Sequence, residues 1–440
     1  MAQRPQRPHS RSQARPQQPS APKLGPPREV DIRGVGAQGD GVVADDEGGP
    51  LFVPLTLGGE RVRAAFDGSR GELLEVLTPS PERVAPPCPH FGDCGGCAVQ
   101  HWDHAPYLAW KADQVRSALA RERIETEILA PFASPPASRR RLALHARKGG
   151  RDAAVIGFKA RKSWRLAEID ACPISDPRLV AAFPALRRLS APLFENAKSA
   201  PTLHVTWTAT GLDVDITGVE RRSGGLSADA RLQMAEVAQA SDMARVTLGG
   251  EAVYMQRQAI VKIGQAVVSL PPGAFLQAVP EAEAAMAAFA VEASAGARRI
   301  ADLFCGVGSF TFRLAEIAPV HAADSAPGAI AALNSAAGAA PGLKTITAEA
   351  RDLARRPLLA SELNKTDVVV FDPPRAGAAE QVEHIAVSKV GRVVGVSCNP
   401  ATFARDARVL IDAGFRLDRV LPVDQFLWSP HVELVGVFSR

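Results

Sequence analysis

Apolar and polar positions alternate in three different ways along the chain. Between residues 30 and 78, short apolar runs are separated by turn residues: Gly41-Val-Val-Ala44, Leu51-Phe-Val-Pro54, Arg61-Val-Arg-Ala-Ala-Phe66 and Glu72-Leu-Leu-Glu-Val-Leu77. Runs of this length recurring every ~8–12 residues predict five strands of a small antiparallel, OB-like barrel, an architecture that commonly carries nucleic acid. Residues 85–265 are mixed, with a helical stretch from about Tyr107 to Arg123 and strand-like runs at Arg141–Ala146 and Ala154–Phe158. From 266 to 440, apolar strand runs alternate with Ala-rich helical segments. The strands read at Arg299–Phe304, Val320–Asp324, Lys344–Ala348, Asp367–Phe371, Arg392–Ser397 and Val432–Val437. That alternation predicts an α/β domain, doubly wound around a mostly parallel, Rossmann-like sheet.

Composition narrows the class. In 440 residues, 46% are apolar and 22% charged, as in an ordinary folded protein of several domains. No stretch approaches the ~18 apolar residues of a membrane span, and the first residues lack an apolar signal core. The net charge of +4 permits a polyanionic partner without demanding one. Residues 1 to about 28 hold seven Pro, six Lys or Arg and no acid, and read as a disordered basic tail. Between Arg139 and Arg165, ten Lys or Arg face one acid, Asp152, with Phe158 and Trp164 interleaved. A surface that stacks bases while gripping phosphates has this composition, although basic runs are also often plain solvated faces.

Chemistry concentrates at the predicted strand ends. The first strand of the α/β region runs into Asp302-Leu-Phe-Cys-Gly306-Val-Gly308-Ser-Phe-Thr311. Gly306 and Gly308 allow a tight turn beside a ligand, and Asp324, 18 residues after Gly306, is placed to hold ribose hydroxyls. A dinucleotide fingerprint would want a third Gly where Thr311 stands. That favours a nucleoside-type cofactor without a pyrophosphate, such as S-adenosylmethionine. The fourth strand ends in Phe371-Asp-Pro-Pro-Arg375, where amino-group methyltransferases place an aromatic; Arg375 argues against a nitrogen target.

The fifth strand ends in Ser397-Cys398-Asn-Pro-Ala-Thr402. Asn399 reads as an N-cap and Pro400 as a first helical residue, so Cys398 would lie where a helix dipole favours thiolate. Cys305 lacks such a cap and reads as packing. A thiolate beside a methyl donor has a natural task. Carbon 5 of a pyrimidine is a poor nucleophile, and adding a thiolate to carbon 6 turns the ring into an enolate that can accept a methyl there. A base must then remove the carbon 5 proton. Glu433, in Ser429-Pro-His-Val-Glu433, is the candidate, although a strand Glu more often just faces solvent.

Cys88-Pro-His-Phe-Gly-Asp-Cys94-Gly-Gly-Cys97, with Cys172 downstream, forms a four-thiolate set. Such a set suits zinc or an iron–sulfur cluster, with Gly95 and Gly96 letting backbone N–H groups approach sulfur. His90, His101 and His104 leave a mixed zinc site open on spacing alone. Thiols of this kind, without an export signal, point to the cytoplasm.

Taken in order, C-x5-C-G-G-C with a distant C-P, D-L-F-C-G-x-G, D-P-P-R-A-G, S-C-N-P-A-T and a terminal H-x-E resemble the bacterial RNA uracil-5-methyltransferases, from about residue 28 to the C-terminus. The likeness is nearest to the type that modifies 23S rRNA and carries an N-terminal TRAM barrel and a 4Fe–4S cluster. The resemblance implies one 4Fe–4S cluster on Cys88, Cys94, Cys97 and Cys172. It implies S-adenosylmethionine contacts from Gln277, Phe304, Asp324 and Asp372 beside the Gly306–Gly308 turn, Cys398 as nucleophile and Glu433 as base. Two positions depart from the family: Asp324 stands where Glu is common, and Val279 where Asn is common, two residues after Gln277.

The implied organisation is a tail (1–27), a TRAM/OB-like barrel (28–82), an α+β central domain with the iron–sulfur site and an RNA-binding surface (83–265), and a class I methyltransferase domain (266–440). The expected activity is carbon-5 methylation of a uridine in structured RNA, 23S rRNA before tRNA, with no membrane and no obligate protein partner. A cytosine-5 enzyme would place Cys where Arg375 follows Pro374. A non-catalytic, metal-stabilised RNA-binding protein would leave Cys398 and Glu433 without a role.

Overall fold

The computed structural model describes residues 23–43, 49–150, 153–196, 198–220 and 225–440. Up to residue 22, the basic tail expected from the sequence lies outside them. No helix among the described residues is long and apolar enough to cross a membrane.

The N-terminal strands form one sheet whose two edges are Arg28–Asp31 and Gly34–Val35. These edges are halves of one bent strand. The first half pairs with Arg61–Ala64 and the second with Gly41–Val42, so the sheet closes on itself as a barrel. Alternation fills it: Val53, Val62 and Ala64 are fully buried, while Arg61 and Arg63 on the same strand face out. The bent strand supplies the fifth strand that the apolar runs do not mark.

A seven-stranded sheet in the middle of the chain runs in the order Leu166–Glu168, Val155–Lys159, Arg141–Arg147, Thr202–Thr208, Gly211–Thr217, Arg245–Leu248, Glu251–Met255. Helices Phe183–Ser190 and Ala228–Ala240 cover it through Leu186, Leu189 and Met234.

The C-terminal sheet positions the site. Its strands are β1 (Ile300–Leu303), β2 (Val320–Asp324), β3 (Ile346–Ala350), β4 (Val368–Phe371), β5 (Arg392–Ser397), β6 (Arg416–Asp424) and β7 (Glu433–Ser439), in spatial order β3-β2-β1-β4-β5-β7-β6. β1 to β5 are parallel, and β7 is antiparallel to both neighbours. Every residue of β1 and β4 is buried, as parallel strands covered on both faces require. β6 is absent from the strands expected from sequence, because Pro422 interrupts its pattern. In the fold Pro422 falls at a gap: β6 pairs with Glu127–Ile128 through Arg419 and Val420, and with Phe132–Ala133 through Val423 and Asp424. The missing N–H is not needed there.

Helix α1 (His104–Arg121) starts at Asp103, whose side chain accepts from the Ala105 N–H, and so begins earlier than the apolar pattern indicates. Its Val115, Ala118 and Leu119 join the core beneath β4 and β5, together with Phe403 and Leu410 of α2 (Pro400–Asp412). Residues 104–133, grouped with the central region by sequence, thus pack on the C-terminal sheet and extend it.

Candidate active site

Parallel pairing brings the carboxyl ends of β1, β2 and β4 together, since Leu303 lies opposite both Ala323 and Phe371. One residue further stand Phe304, Asp324 and Asp372. Phe304 has φ +61°, a left-handed conformation costly for a bulky side chain and typical of backbone held at a ligand site. Asp324 accepts from the Gly306 N–H (2.9 Å) and the Ala326 N–H (2.8 Å). Gly308 has φ +100°, and a Cβ there would meet the Phe312 ring at 2.6 Å, so this position requires glycine. Thr311, standing where a dinucleotide site would have its third Gly, donates its hydroxyl to buried Asp302.

β5 and β7 supply the second half. Ser397 is paired with Leu434, so Cys398 and Glu433 come one step beyond, on adjacent strand ends. Asn399 caps α2 by accepting from the Ala401 N–H (3.1 Å), with Pro400 at the first turn, as its sequence indicates. A cavity of about 900 Å³ is walled by Gln277, Phe304, Gly306, Asp324, Asp372, Arg375, Cys398, Gln425 and Glu433 among others. Cys305 borders it too, but is buried in a core with Phe312 and Leu333, matching its packing role.

A line of hydrogen bonds runs along the cavity wall. Gln277 Nε2 donates to Asp372 Oδ2 (2.8 Å), and Gln425 Nε2 donates to both Gln277 Oε1 (2.7 Å) and Glu433 Oε2 (3.1 Å). Burial, and then the charge of Asp372, pushes Glu433 well above the ordinary carboxylate range, while Gln425 and Arg375 oppose the shift. Asp372 is raised by burial and by Glu283 against the bond from Gln277. Cys398 corrects an expectation. Its thiol is not lowered by its place before α2; burial and then Glu433 push it up, and Arg375 pulls the other way. Arg375 thus favours the thiolate, and charge on Glu433 opposes it. Val279, the departure from the family's Asn, buries its side chain in the core, and its N–H points to Gln425 Oε1 (3.4 Å).

A second cavity, about 330 Å³, is lined by Cys88, Cys94, Cys97 and Cys172 with His90, Gln100 and Arg139. It shares Arg139, Leu142, Ala143, Arg375 and Phe426 with the first. The Gly96 N–H donates to Cys94 Sγ (3.4 Å) and Ser175 Oγ to Cys172 Sγ (3.1 Å). Gly95 differs from its reading: its N–H goes to the Lys159 carbonyl (3.1 Å), and a Cβ there would lie 2.5 Å from that oxygen. His90 is tied to Asp170 (2.6 Å), and His101 is buried against Phe91. Burial raises Cys94 and Cys172 and pushes Cys97 up to about 12. Among the described residues, no three His, Cys, Asp or Glu converge closely enough to hold a single ion.

Much of the basic segment is engaged within the protein, so for those residues neither the phosphate-gripping reading nor the solvated-face reading holds. Arg140 is buried and paired with Glu283 (2.7 Å), and Arg141 donates to the Leu276 carbonyl (2.9 Å). Arg161 and Lys162 hold Asp40 of the barrel, and Arg165 pairs with Asp93. Arg147 and Lys148 are exposed, and Lys159 lies over exposed Trp164, 3.9 Å from the ring centre. The pattern of charge misleads because it does not show which acids elsewhere in the chain meet it.

Gln425 is invisible to sequence reasoning, as are Tyr107, Lys111 and Asp424 beneath it. Lys111 and Asp424 are fully buried and 2.8 Å apart. A buried pair formed across more than 300 residues leaves no local signal; the only hint is a polar Asp424-Gln425 step inside an apolar run.

A family model described as tRNA (uracil-5-)-methyltransferase matches residues 226–440. The chain is 66% identical to an uncharacterized RNA methyltransferase of Caulobacter vibrioides, over 94% of this chain and all of the relative. It is 34% identical to the 23S rRNA (uracil(1939)-C(5))-methyltransferase RlmD of Alkalilimnicola ehrlichii, over 94% of this chain and 97% of that one. Its fold matches a Pyrococcus abyssi tRNA (uracil-54, C5)-methyltransferase solved with S-adenosyl-L-homocysteine, with TM-score 0.71 and 23% identity over 93% of this chain and 99% of the other.

Proposed function

This chain belongs to the RNA uracil-5-methyltransferase family, and on that footing we propose that it methylates carbon 5 of a uridine in 23S rRNA through a covalent Cys398–uracil intermediate. The observation that carries the mechanism is the juxtaposition of Cys398 and Glu433 at adjacent strand ends, on one cavity wall. Cys398 adds to carbon 6, the ring becomes an enolate, and carbon 5 takes the methyl. Glu433 then removes the carbon 5 proton, and the thiolate leaves as the ring regains its double bond. Asp372, which accepts from Gln277, lies on the same wall, where the two would contact the methyl donor.

S-adenosylmethionine fits the donor end of the cavity and supplies the methyl group. Asp324 already accepts two backbone N–H groups and keeps lone pairs for ribose hydroxyls, while the Gly306–Gly308 turn leaves room beside Phe304. About 900 Å³ accommodates a nucleoside-sized cofactor and an everted base together. The barrel (28–82) and the central region (83–265) would grip the surrounding RNA by phosphate, stacking and shape.

Cys88, Cys94, Cys97 and Cys172 would hold a 4Fe–4S cluster. All four thiols line one cavity, and a four-thiolate set suits an iron–sulfur cluster. N–H and O–H donors to two of the sulfurs support the same reading. Its role is structural, in the cytoplasm.

The test is to delete the gene and map 5-methyluridine in 23S rRNA and tRNA. Loss at one rRNA uridine is expected; loss confined to tRNA would move the substrate to tRNA, and loss in neither would sink the reading.

A further inference from the structure

Among the buried polar groups, Gln425 has no place in the reaction just described, yet it bonds two side chains of the site, Gln277 and Glu433. It is 2% exposed and lies between β6 and β7. Its carboxamide is engaged at both ends: Nε2 to Gln277 Oε1 and to Glu433 Oε2, and Oε1 to the Val279 N–H. Because Nε2 is a donor only, the Glu433 oxygen it meets must be an acceptor. The amide's orientation is fixed by the Val279 N–H on its other end.

The residue is also held from below. Asp424, next in the chain, accepts from the Tyr107 hydroxyl (2.6 Å) and pairs with Lys111, and Lys111 donates to the Phe426 (3.4 Å) and His431 carbonyls. The backbone on both sides of Gln425 is thereby anchored to α1.

We propose that Gln425 is a positioning residue for proton removal: it holds the Glu433 carboxylate as a hydrogen-bond acceptor aimed into the cavity and ties it to the Gln277–Asp372 pair. The inference rests on the reading of Glu433 as the base. Three charged or titratable groups face Glu433 from other elements: Asp372 after β4, Arg375 in the following turn and Cys398 after β5. Asp372 raises it and Arg375 lowers it, so the Gln425 donor acts on the same side as Arg375.

The test uses the full-length protein and rRNA from a gene-deletion strain, with turnover followed against pH. Gln425→Met keeps the volume and loses the donor; Gln425→Glu keeps the shape and places a like charge beside Glu433. Without the donor the base binds its proton more tightly, so the limb that rises with pH should move to more alkaline pH in Gln425→Met and further in Gln425→Glu. Turnover at neutral pH should fall about 10- to 100-fold, as misplacement of a reacting group by ~1 Å does. The methylated, covalent protein–RNA adduct should build up in both. Lower turnover with an unmoved limb and no adduct would overturn the proposal. If Gln425→Met melts early, the same criterion is applied to Gln425→Glu. A Glu433→Gln control separates the two readings. If that variant traps adduct while both Gln425 variants keep the wild-type limb, this inference fails alone. If it traps none, the assignment of the base fails and takes this inference with it.

Discussion

Tyr107 donates its hydroxyl to Asp424 at 2.6 Å, joining α1 to the end of β6 across 317 positions of the chain. The same hydroxyl accepts from the Trp428 N–H (2.8 Å), and Lys111, one turn along α1, closes on the other oxygen of Asp424. A lysine with no exposure is tolerable only when its charge is met, and burial still lowers its affinity for the proton. Lys111→Met should therefore cost about 3–5 kcal/mol, because it strands the Asp424 charge. The double variant Lys111→Met/Asp424→Leu should recover part of that loss. Chemical denaturation of the four proteins of this cycle checks it, and additive losses would mean that the pair is not coupled.

Most of the α/β architecture is legible in the sequence because parallel strands buried on both faces print as apolar runs; Val368–Phe371 and Arg392–Ser397 fall almost to the residue where those runs place them. β6 escapes because Pro422 breaks its pattern at the point where pairing on one side lapses. Candidate residues tied to a strand end and a glycine turn, such as Asp324 and Cys398, are legible for the same reason. Gln425 and Lys111 are not, since their meaning lies in partners hundreds of positions away. Charge is the least informative guide: Arg140 belongs to a basic run, yet sits buried on Glu283.

That burial divides the basic segment into two experimental classes. Arg140→Ala should lower the melting temperature and leave the salt dependence of RNA binding unchanged. Replacing exposed Arg147 and Lys148 together with half-buried Lys159 should weaken RNA binding and flatten its log–log salt dependence by about 0.7–0.9 for each phosphate that is no longer neutralised. Filter binding at several salt concentrations reads both. An unchanged slope in the triple variant would leave these side chains as a solvated face.

Asp302 carries a pH signature. It is completely buried at the end of β1, bonded to Thr311, and burial pushes its carboxyl up to about 7. Its folded pKa thus lies above its unfolded one, near 4, so the native state holds the extra proton between them. Stability from this group is complete below about pH 4 and is lost as pH rises through about 7. Asp302→Asn, neutral at every pH, should narrow the difference in melting temperature between pH 5.5 and pH 8. An undiminished difference would mean that Asp302 titrates elsewhere.

The cysteine cavity predicts a metal content. Anaerobically purified protein should be brown, with iron and acid-labile sulfide near four each per chain, as a 4Fe–4S centre requires. Cys94→Ser should lower the yield of folded protein more than it lowers turnover per folded molecule, because ligation contributes to folding free energy. A colourless, active protein with one zinc per chain would overturn the assignment.

Cys398 and Glu433 act at opposite ends of the proposed reaction, so their variants should stall at different points. Cys398→Ala removes the group that adds to carbon 6; it should bind RNA and methyl donor and form no covalent complex. Glu433→Gln keeps the volume of a fully buried side chain and also removes the charge that pushes the Cys398 thiol up, so addition should proceed at least as readily as in the wild type. Methyl transfer should follow, and elimination should fail. The expected product is an adduct that survives denaturation, carries the labelled methyl and maps to the peptide containing Cys398. Wild-type protein should give such a band only with 5-fluorouridine RNA, whose carbon 5 has no proton to remove. A denaturing gel with methyl-labelled donor distinguishes the cases. Normal turnover by Glu433→Gln, or a stall without adduct, would assign proton removal to another group on the same wall, which also carries Asp372.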